Sequence, residues 1–296
     1  MSTLPRTAVY PVALQHAVDD YLAELSFATD PATAGLDEAM RYSLLAPGKR
    51  VRPVLALATG EALGSTQKDV MPLAASLELV HTYSLIHDDL PAMDDDELRR
   101  GRPTCHVAYG EDVAILAGDG LFAEAIRLIL DRQSGPPANV MAALRALVAA
   151  VAVDGMVGGQ YFDVTGSGDL DGPALRRLHE LKTGRLIGAS IECVMLLAGS
   201  DPHATLPFRR FAAELGVLFQ IVDDILDVTG DEATLGKPPR SDERHGKSTY
   251  VSVYGLDHAR ELAGISHAKA RHALAEVEGS TATLEQITDY ILTRPT

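Results

Sequence analysis

Apolar side chains recur along this chain at intervals of three and four. Val51, Leu55, Ala58 and Ala62 keep that spacing, and so do Leu73, Leu77, Val80 and Ser84. It returns in Leu121, Ala125 and Leu128, and again in Leu215, Leu218, Val222 and Leu226. Residues three and four apart share one face of a helix, so each set predicts an α-helix. Runs of period two are short, and no Asn-Gly or Asp-Gly hairpin signal stands between β-branched strands. Several helices carry apolar residues on more than one face, which predicts a layered bundle with buried central helices.

Breakers divide the pattern at Pro47-Gly48, Gly64-Ser65, Pro91, Gly101-Arg102-Pro103, Gly135-Pro136-Pro137, Gly166-Ser167-Gly168, Pro202, Gly230 and Pro238-Pro239. They leave roughly ten helices of about 12 to 25 residues. No long linker and no shift in composition separates two halves, so residues 1–296 are expected to form a single all-α domain.

Composition narrows the function. Apolar residues make up 46% and charged residues 23%, enough for a sizeable core and unlike a disordered chain. The net charge of −15 argues against nucleic acid, whose phosphates need a basic footprint. Aromatics are 5% with no Trp, which leaves no base-stacking platform. Cys105 and Cys193 are too few for a disulfide framework and point to a reduced, cytoplasmic setting. Membrane insertion is not expected: the purest apolar stretch, Ala146 to Val153, is closed by Arg145 and Asp154, whereas a span needs ~20 residues. The N-terminus holds Pro5 and Pro11 and lacks the basic start of a signal peptide.

Candidate chemistry lies in two acidic clusters. The first, His87-Asp88-Asp89-Leu90-Pro91-Ala92-Met93-Asp94-Asp95-Asp96-Glu97-Leu98-Arg99-Arg100-Gly101, follows a long apolar helix. Asp88 lies one helical turn beyond Ser84 and two beyond His81, on one face. Pro91 removes an N–H and crowds the preceding turn, so the helix must end or bend there and can return Asp94 towards Asp88. Five aspartates so close repel one another unless a cation joins them, and an all-oxygen set favours Mg²⁺ or Mn²⁺. The second cluster, Asp223-Asp224-Ile225-Leu226-Asp227, sits in another apolar helix. Asp223 and Asp227 share a face, and Gln220 lies one turn below Asp223. Aspartates in such a helix are costly without partners. Two clusters of this kind suggest one shared site that holds a polyphosphate through divalent metal. The bland alternative for each is a solvated acidic helix end.

Cations for direct contact occur in Gly48-Lys49-Arg50-Val51-Arg52-Pro53, in Arg99-Arg100, in Lys182-Thr183-Gly184-Arg185, and at Lys237 and Lys247. Each alone would pass for surface charge. His81 is aligned with Asp88. Cys105-His106 has no partner at metal-ligand spacing and reads as packing. Gly158-Gly159-Gln160 is too short for a phosphate loop.

These blocks resemble the trans-isoprenyl diphosphate synthases, most closely the bacterial farnesyl diphosphate synthases. The likeness is carried by GKRVRP (48–53), LIHDDLPAMDDDELRRGRPTCH (85–106), GGQYFD (158–163), KTG (182–184), FQIVDDILDVTGD (219–231) and LGK…GKSTY (235–250), in the family's order. TDYILTR (288–294) is a weaker match. The resemblance implies the isoprenoid synthase fold, a homodimer of helical subunits each with a central cavity, and Mg²⁺, three ions per site, with Mn²⁺ able to substitute. It implies Asp88, Asp94 and Asp223 as metal ligands, supported by Asp89 and Asp227. The allylic diphosphate would be held by Arg99, Lys182 and Lys237, with Lys247 nearby, and isopentenyl diphosphate by Gly48, Lys49, Arg52, His81 and Arg100.

In that chemistry an allylic carbocation forms as diphosphate leaves, and needs oxygen dipoles beside it. The Lys182 carbonyl, the Thr183 hydroxyl and the Gln220 amide oxygen, which would also line the allylic site, are the candidates. Tyr83 and Ser84 lie five and four residues before Asp88, about one turn below the metal site, where a side chain could close the product tunnel. The bulk of Tyr83 and the family pattern imply a C15 product. A geranylgeranyl (C20) synthase is the alternative within the family. A terpene cyclase lacks the second cation set, and an inactive partner subunit has no need of intact Asp clusters.

Overall fold

The computed structural model describes residues 8–166, 170–230 and 247–294. Its helices are, in chain order, α1 (Val12–Ala23), α2 (Ala34–Leu44), α3 (Val51–Ala62), α4 (Gln67–Asp88), α5 (Cys105–Tyr109), α6 (Glu111–Arg132), α7 (Pro137–Val151), α8 (Met156–Thr165), α9 (Gly172–His179), α10 (Arg185–Leu197), α11 (Leu206–Thr229), α12 (Tyr250–Tyr254), α13 (Leu256–Ala275) and α14 (Ala282–Thr293). A π-turn, Glu180–Gly184, joins α9 to α10. The architecture is the expected all-α bundle, but with fourteen helices among the described residues rather than roughly ten, and α2, α5, α8, α9 and α12 shorter than the pattern predicts.

Helix α4 is the central helix, packed against α3, α6 and α10. Its residues from Val70 to Val80 are buried without interruption, as the many-sided apolar pattern requires. It starts at a capping box: Thr66 Oγ1 accepts from the Asp69 N–H, and the Asp69 carboxylate accepts from the Thr66 N–H. Pro72 interrupts the first turns, and the Gln133 amide repairs the damage. Leu73 N–H donates to Gln133 Oε1 (3.0 Å), while Gln133 Nε2 donates to Asp69 O (2.7 Å).

Two findings amend the sequence reading. Gly101-Arg102-Pro103 is more than a breaker: Leu98–Arg99 and Arg102–Pro103 pair antiparallel around a tight turn, with φ of 54° at Arg100 and 73° at Gly101. Arms of two residues are too short to show a period. Also, residues 137–165 are together long and apolar enough to cross a membrane, contrary to the expectation that no stretch reaches that length. Here they form two helices, broken between Ala152 and Gly155. Val140, Ala143, Leu144 and Leu147 of α7 are buried. Leu116, Leu130, Met141, Val148, Val157 and Tyr161, all on α6–α8, remain exposed.

Candidate active site

The bend after α4 places the first cluster. Past Pro91 the chain turns back, so that Asp94 N–H donates to Asp88 O (2.9 Å) and Asp95, with φ of 53°, donates to Leu90 O. Asp94 thus returns beside Asp88, as Pro91 predicts. Asp89 points the other way and is buried; its Oδ1 accepts from Arg99 Nε at 2.6 Å. Arg99 Nη2 also reaches Asp89 and, at 3.4 Å, Asp96. Burial pushes the Asp88 carboxyl up to about 6, with Asp94 adding to the shift and Lys182, Arg99 and Lys247 opposing it. Asp89 is likewise pushed up to about 6, by burial that outweighs the pull of Arg99.

On α11 the three aspartates take different surroundings. Asp223 is 59% exposed, and Arg294 Nη2 donates to its Oδ1 (3.3 Å) while stacking on Phe219. Asp224 is buried and accepts from Gln220 Nε2 and from the Tyr250 N–H, both at 2.7 Å. Asp227 is also buried. Because Nε2 faces Asp224, the Gln220 carbonyl oxygen faces the π-turn, where Thr183 Oγ1 donates to it at 3.0 Å.

Lysines tie the first cluster to α8. Lys182 Nζ donates to Asp163 of α8, and Lys247 Nζ lies 3.6 Å from the same carboxylate and 2.8 Å from Asp94 Oδ1. Asp163 is a residue the sequence reading left without a role, although GGQYFD contains it. Gly159, in the same block, explains how α8 comes so near: a methyl there would lie 2.3 Å from the Lys182 nitrogen. Gly216 and Gly184 allow a similar approach between α11 and the π-turn.

A second cationic group surrounds His81. Burial, then Arg52, Arg100, Arg99 and Arg50 in turn, hold its imidazole neutral. Arg52 is lowered to about 10, by burial first, against the attraction of Glu78. Its Nε is buried without a hydrogen-bond partner among the described residues. Gly48 lies against Arg100, so close that a methyl would meet Nη1 at 2.6 Å. Like charges gathered around a neutral imidazole favour a polyanion among them. Arg50, in the same motif, is instead paired with Asp19 and the buried Glu78. Exposed Lys49 sits over the Tyr290 ring.

Tyr83 packs its ring 5.3 Å from that of Phe122 and 5.8 Å from His87, and Ser84 Oγ donates to His81 O. Lys237 lies outside the described residues. A separate hollow of about 530 Å³ opens between α7, α10 and α11, with His179 and Gly184 in its wall; it contains neither acidic cluster.

Among the described residues no three His, Cys, Asp or Glu side chains converge closely enough to cage an ion. That suits Mg²⁺, which takes one or two carboxylates plus substrate phosphates and keeps waters, better than a metal held by protein alone. Asp88 and Asp94 on one side and exposed Asp223 on the other have the oxygen chemistry for it.

Residues 33–291 match the family described as polyprenyl synthetase. The chain is 41% identical over 285 residues to a farnesyl diphosphate synthase of Geobacillus stearothermophilus, covering 95% of this chain and 94% of that protein. It is 43% identical over 287 residues to the farnesyl diphosphate synthase of Escherichia coli K12, covering 94% of each. The solved structure of a geranyltransferase from Helicobacter pylori, complexed with magnesium and isoprenyl diphosphate, superposes with a TM-score of 0.84 at 30% identity, covering 99% of this chain and 98% of that one.

Proposed function

The chain belongs to the polyprenyl synthetase family, and from that premise we propose that it is a trans-prenyltransferase of the farnesyl diphosphate synthase type. It condenses isopentenyl diphosphate with dimethylallyl and then geranyl diphosphate to give farnesyl diphosphate. The observation that carries this reading is the pairing of two acidic clusters with two separate cationic groups, one around Lys182 and Lys247 and one around His81. A terpene cyclase has no use for the second group.

Asp88, Asp94 and Asp223 would hold Mg²⁺, three ions per site by family analogy and replaceable by Mn²⁺, which would supply positive charge for the diphosphate. Lys182 and Lys247 share their charge between that diphosphate and Asp163. Lys237 joins them by resemblance. Arg99 keeps Nη1 clear of Asp89 and Asp96, so it can contact a phosphate oxygen without leaving its anchors. The Lys182 carbonyl, Thr183 hydroxyl and Gln220 carbonyl stabilise the allylic cation as dipoles, without a nucleophile to trap it. Thr183 and Gln220 fix each other's orientation before the reaction, so little reorganisation is needed. Isopentenyl diphosphate lies on Gly48, Lys49, Arg52, His81 and Arg100. Its double bond attacks the cation, and the proton then lost passes to the departed diphosphate, so no protein carboxylate is assigned as base. Apolar walls exclude the water that would quench the cation. Tyr83, with Ser84 beside it, sets the product length.

The apolar residues exposed on α6–α8 support a homodimer through that face. Free, buried Cys105 and Cys193 suit a reducing cytoplasm. One domain, residues 1–296, carries the whole site.

The test is incubation of purified protein with isopentenyl and dimethylallyl diphosphates and Mg²⁺, followed by identification of the product. A C15 product that disappears in excess chelator is expected. A C20 product would favour the geranylgeranyl synthase, and condensation in excess chelator would overturn the metal assignment.

A further inference from the structure

The loop between α2 and α3 carries Gly48 and Lys49, leads into Arg52 on the first turn of α3, and has no regular structure between residues 46 and 50. Its backbone is left-handed at Arg50 (φ 52°), a conformation that a non-glycine residue keeps only when its surroundings impose it. Three side chains from the N-terminal segment do so. Tyr10 Oη donates to Lys49 O at 2.6 Å, Gln15 Nε2 donates to Gly48 O at 2.8 Å, and Asp19 Oδ1 accepts from Arg50 Nε at 2.7 Å. Gln15 and Asp19 are one turn apart on α1, whose other face buries Leu14, Val18 and Leu22.

The grip is braced from two sides. Beneath the loop, Arg50 Nη1 donates to buried Glu78 of α4 (2.8 Å) and Nη2 to Ala46 O (3.0 Å). Behind it, α14 holds the segment that bears Tyr10. Gln286 Nε2 donates to Val9 O, Ala8 N–H donates to Thr293 Oγ1, and the Tyr290 ring lies 4.8 Å from that of Tyr10.

The geometry has an electrostatic result. In a trans peptide the carbonyl and the following N–H point in opposite directions. With the Gly48 and Lys49 carbonyls turned to α1, the N–H groups of Lys49 and Arg50 point away from it, and the negative ends of both dipoles are removed from any anion on the loop's other side. Gly48 is also held where it touches Arg100.

We propose that Tyr10, Gln15 and Asp19 are positioning residues for the isopentenyl diphosphate site, fixing the loop backbone so that Lys49, Arg52 and Arg100 converge on one diphosphate. This rests on the assignment of that substrate to the His81 group. The test uses full-length Tyr10→Phe, which removes one oxygen, and Gln15→Met, which keeps the bulk but not the donor. In each, the KM for isopentenyl diphosphate should rise about fivefold, as for loss of one hydrogen bond. The KM for the allylic diphosphate should stay at the wild-type value, and the melting temperature should fall by no more than about 4 °C. An unmoved isopentenyl KM in both variants, or an equal rise in both KM values, overturns the proposal while wild-type condensation stands. Failure of the wild type to condense the two diphosphates would instead refute the functional reading on which it rests.

Discussion

His179 is held neutral inside the fold. Burial lowers its imidazole to about 4, Lys182 adds to that, and Asp163 and Asp223 oppose it. Between about pH 6.5 and 4 an unfolded chain binds this proton and the fold does not, so the stability it contributes is complete above 6.5 and lost as pH falls to 4. Asp88 and Asp89 work in the opposite sense. Raised to about 6, they contribute stability that is present below about 4 and lost as pH rises through 6. Replacing His179 by Gln should therefore unbalance the two slopes. Relative to wild type, the variant should gain up to about 3 kcal/mol between pH 7 and pH 4. Urea midpoints of the metal-free proteins across that range check this; an offset independent of pH would show that His179 is not the titrating group. Tyr83 offers a second prediction at this scale. Its ring packs on Phe122 and His87 and it supplies no charged ligand, although its hydroxyl lies near enough to feel the charge of Asp88, so Tyr83→Ala should lengthen the product to C20 or beyond and leave the metal requirement intact. A C15 product from active, folded variant would show that another residue stops the chain.

Among the elements, those written in local pattern were legible. The period of three and four marks α3, α4, α6 and α11, and Pro91 forecasts both the end of α4 and the return of Asp94. What could not be read is what distant segments bring. Lys247 meets Asp94 across 153 positions, and Arg294 meets Asp223 across 71. No local rule selects those partners, since each cation had several carboxylates to choose from. Nor does any pattern mark the π-turn, against which α8 and α11 pack through single glycines. That contact is testable. Gly159→Ala sets a methyl against backbone that has no rotamer to escape into, so α8 must shift from Lys182. It should cost about 1–3 kcal/mol of stability and lower kcat as the Lys182–Asp163 pair loosens. Thermal melts and steady-state rates would show both; an unchanged kcat would place that pair outside the reaction.

For the whole molecule, the apolar surface of α6–α8 is the feature that a solitary subunit does not explain. Residues 137–165, its α7–α8 part, resemble a membrane segment by length and composition, yet they are broken at Ala152–Gly155 and α7 has one side in the core. The homodimer proposed above would place a partner subunit on the other side and account for both facts. Changing Met141 and Val148 together to Lys should convert a sedimenting dimer into a monomer, measured by analytical ultracentrifugation. Unaltered sedimentation would move the interface elsewhere.

The contact of Ala8 with Thr293 joins positions 285 apart. A ribosome delivers Thr293 a full 285 residues after Ala8. Both acidic clusters, on α4 and α11, are made before α14, whereas the strut behind Tyr10 needs α14. During synthesis, then, the ligands of the proposed metal site are all made before the proposed isopentenyl diphosphate seat is braced, and a nascent chain halted short of α14 should hold an allylic diphosphate with Mg²⁺ far better than isopentenyl diphosphate.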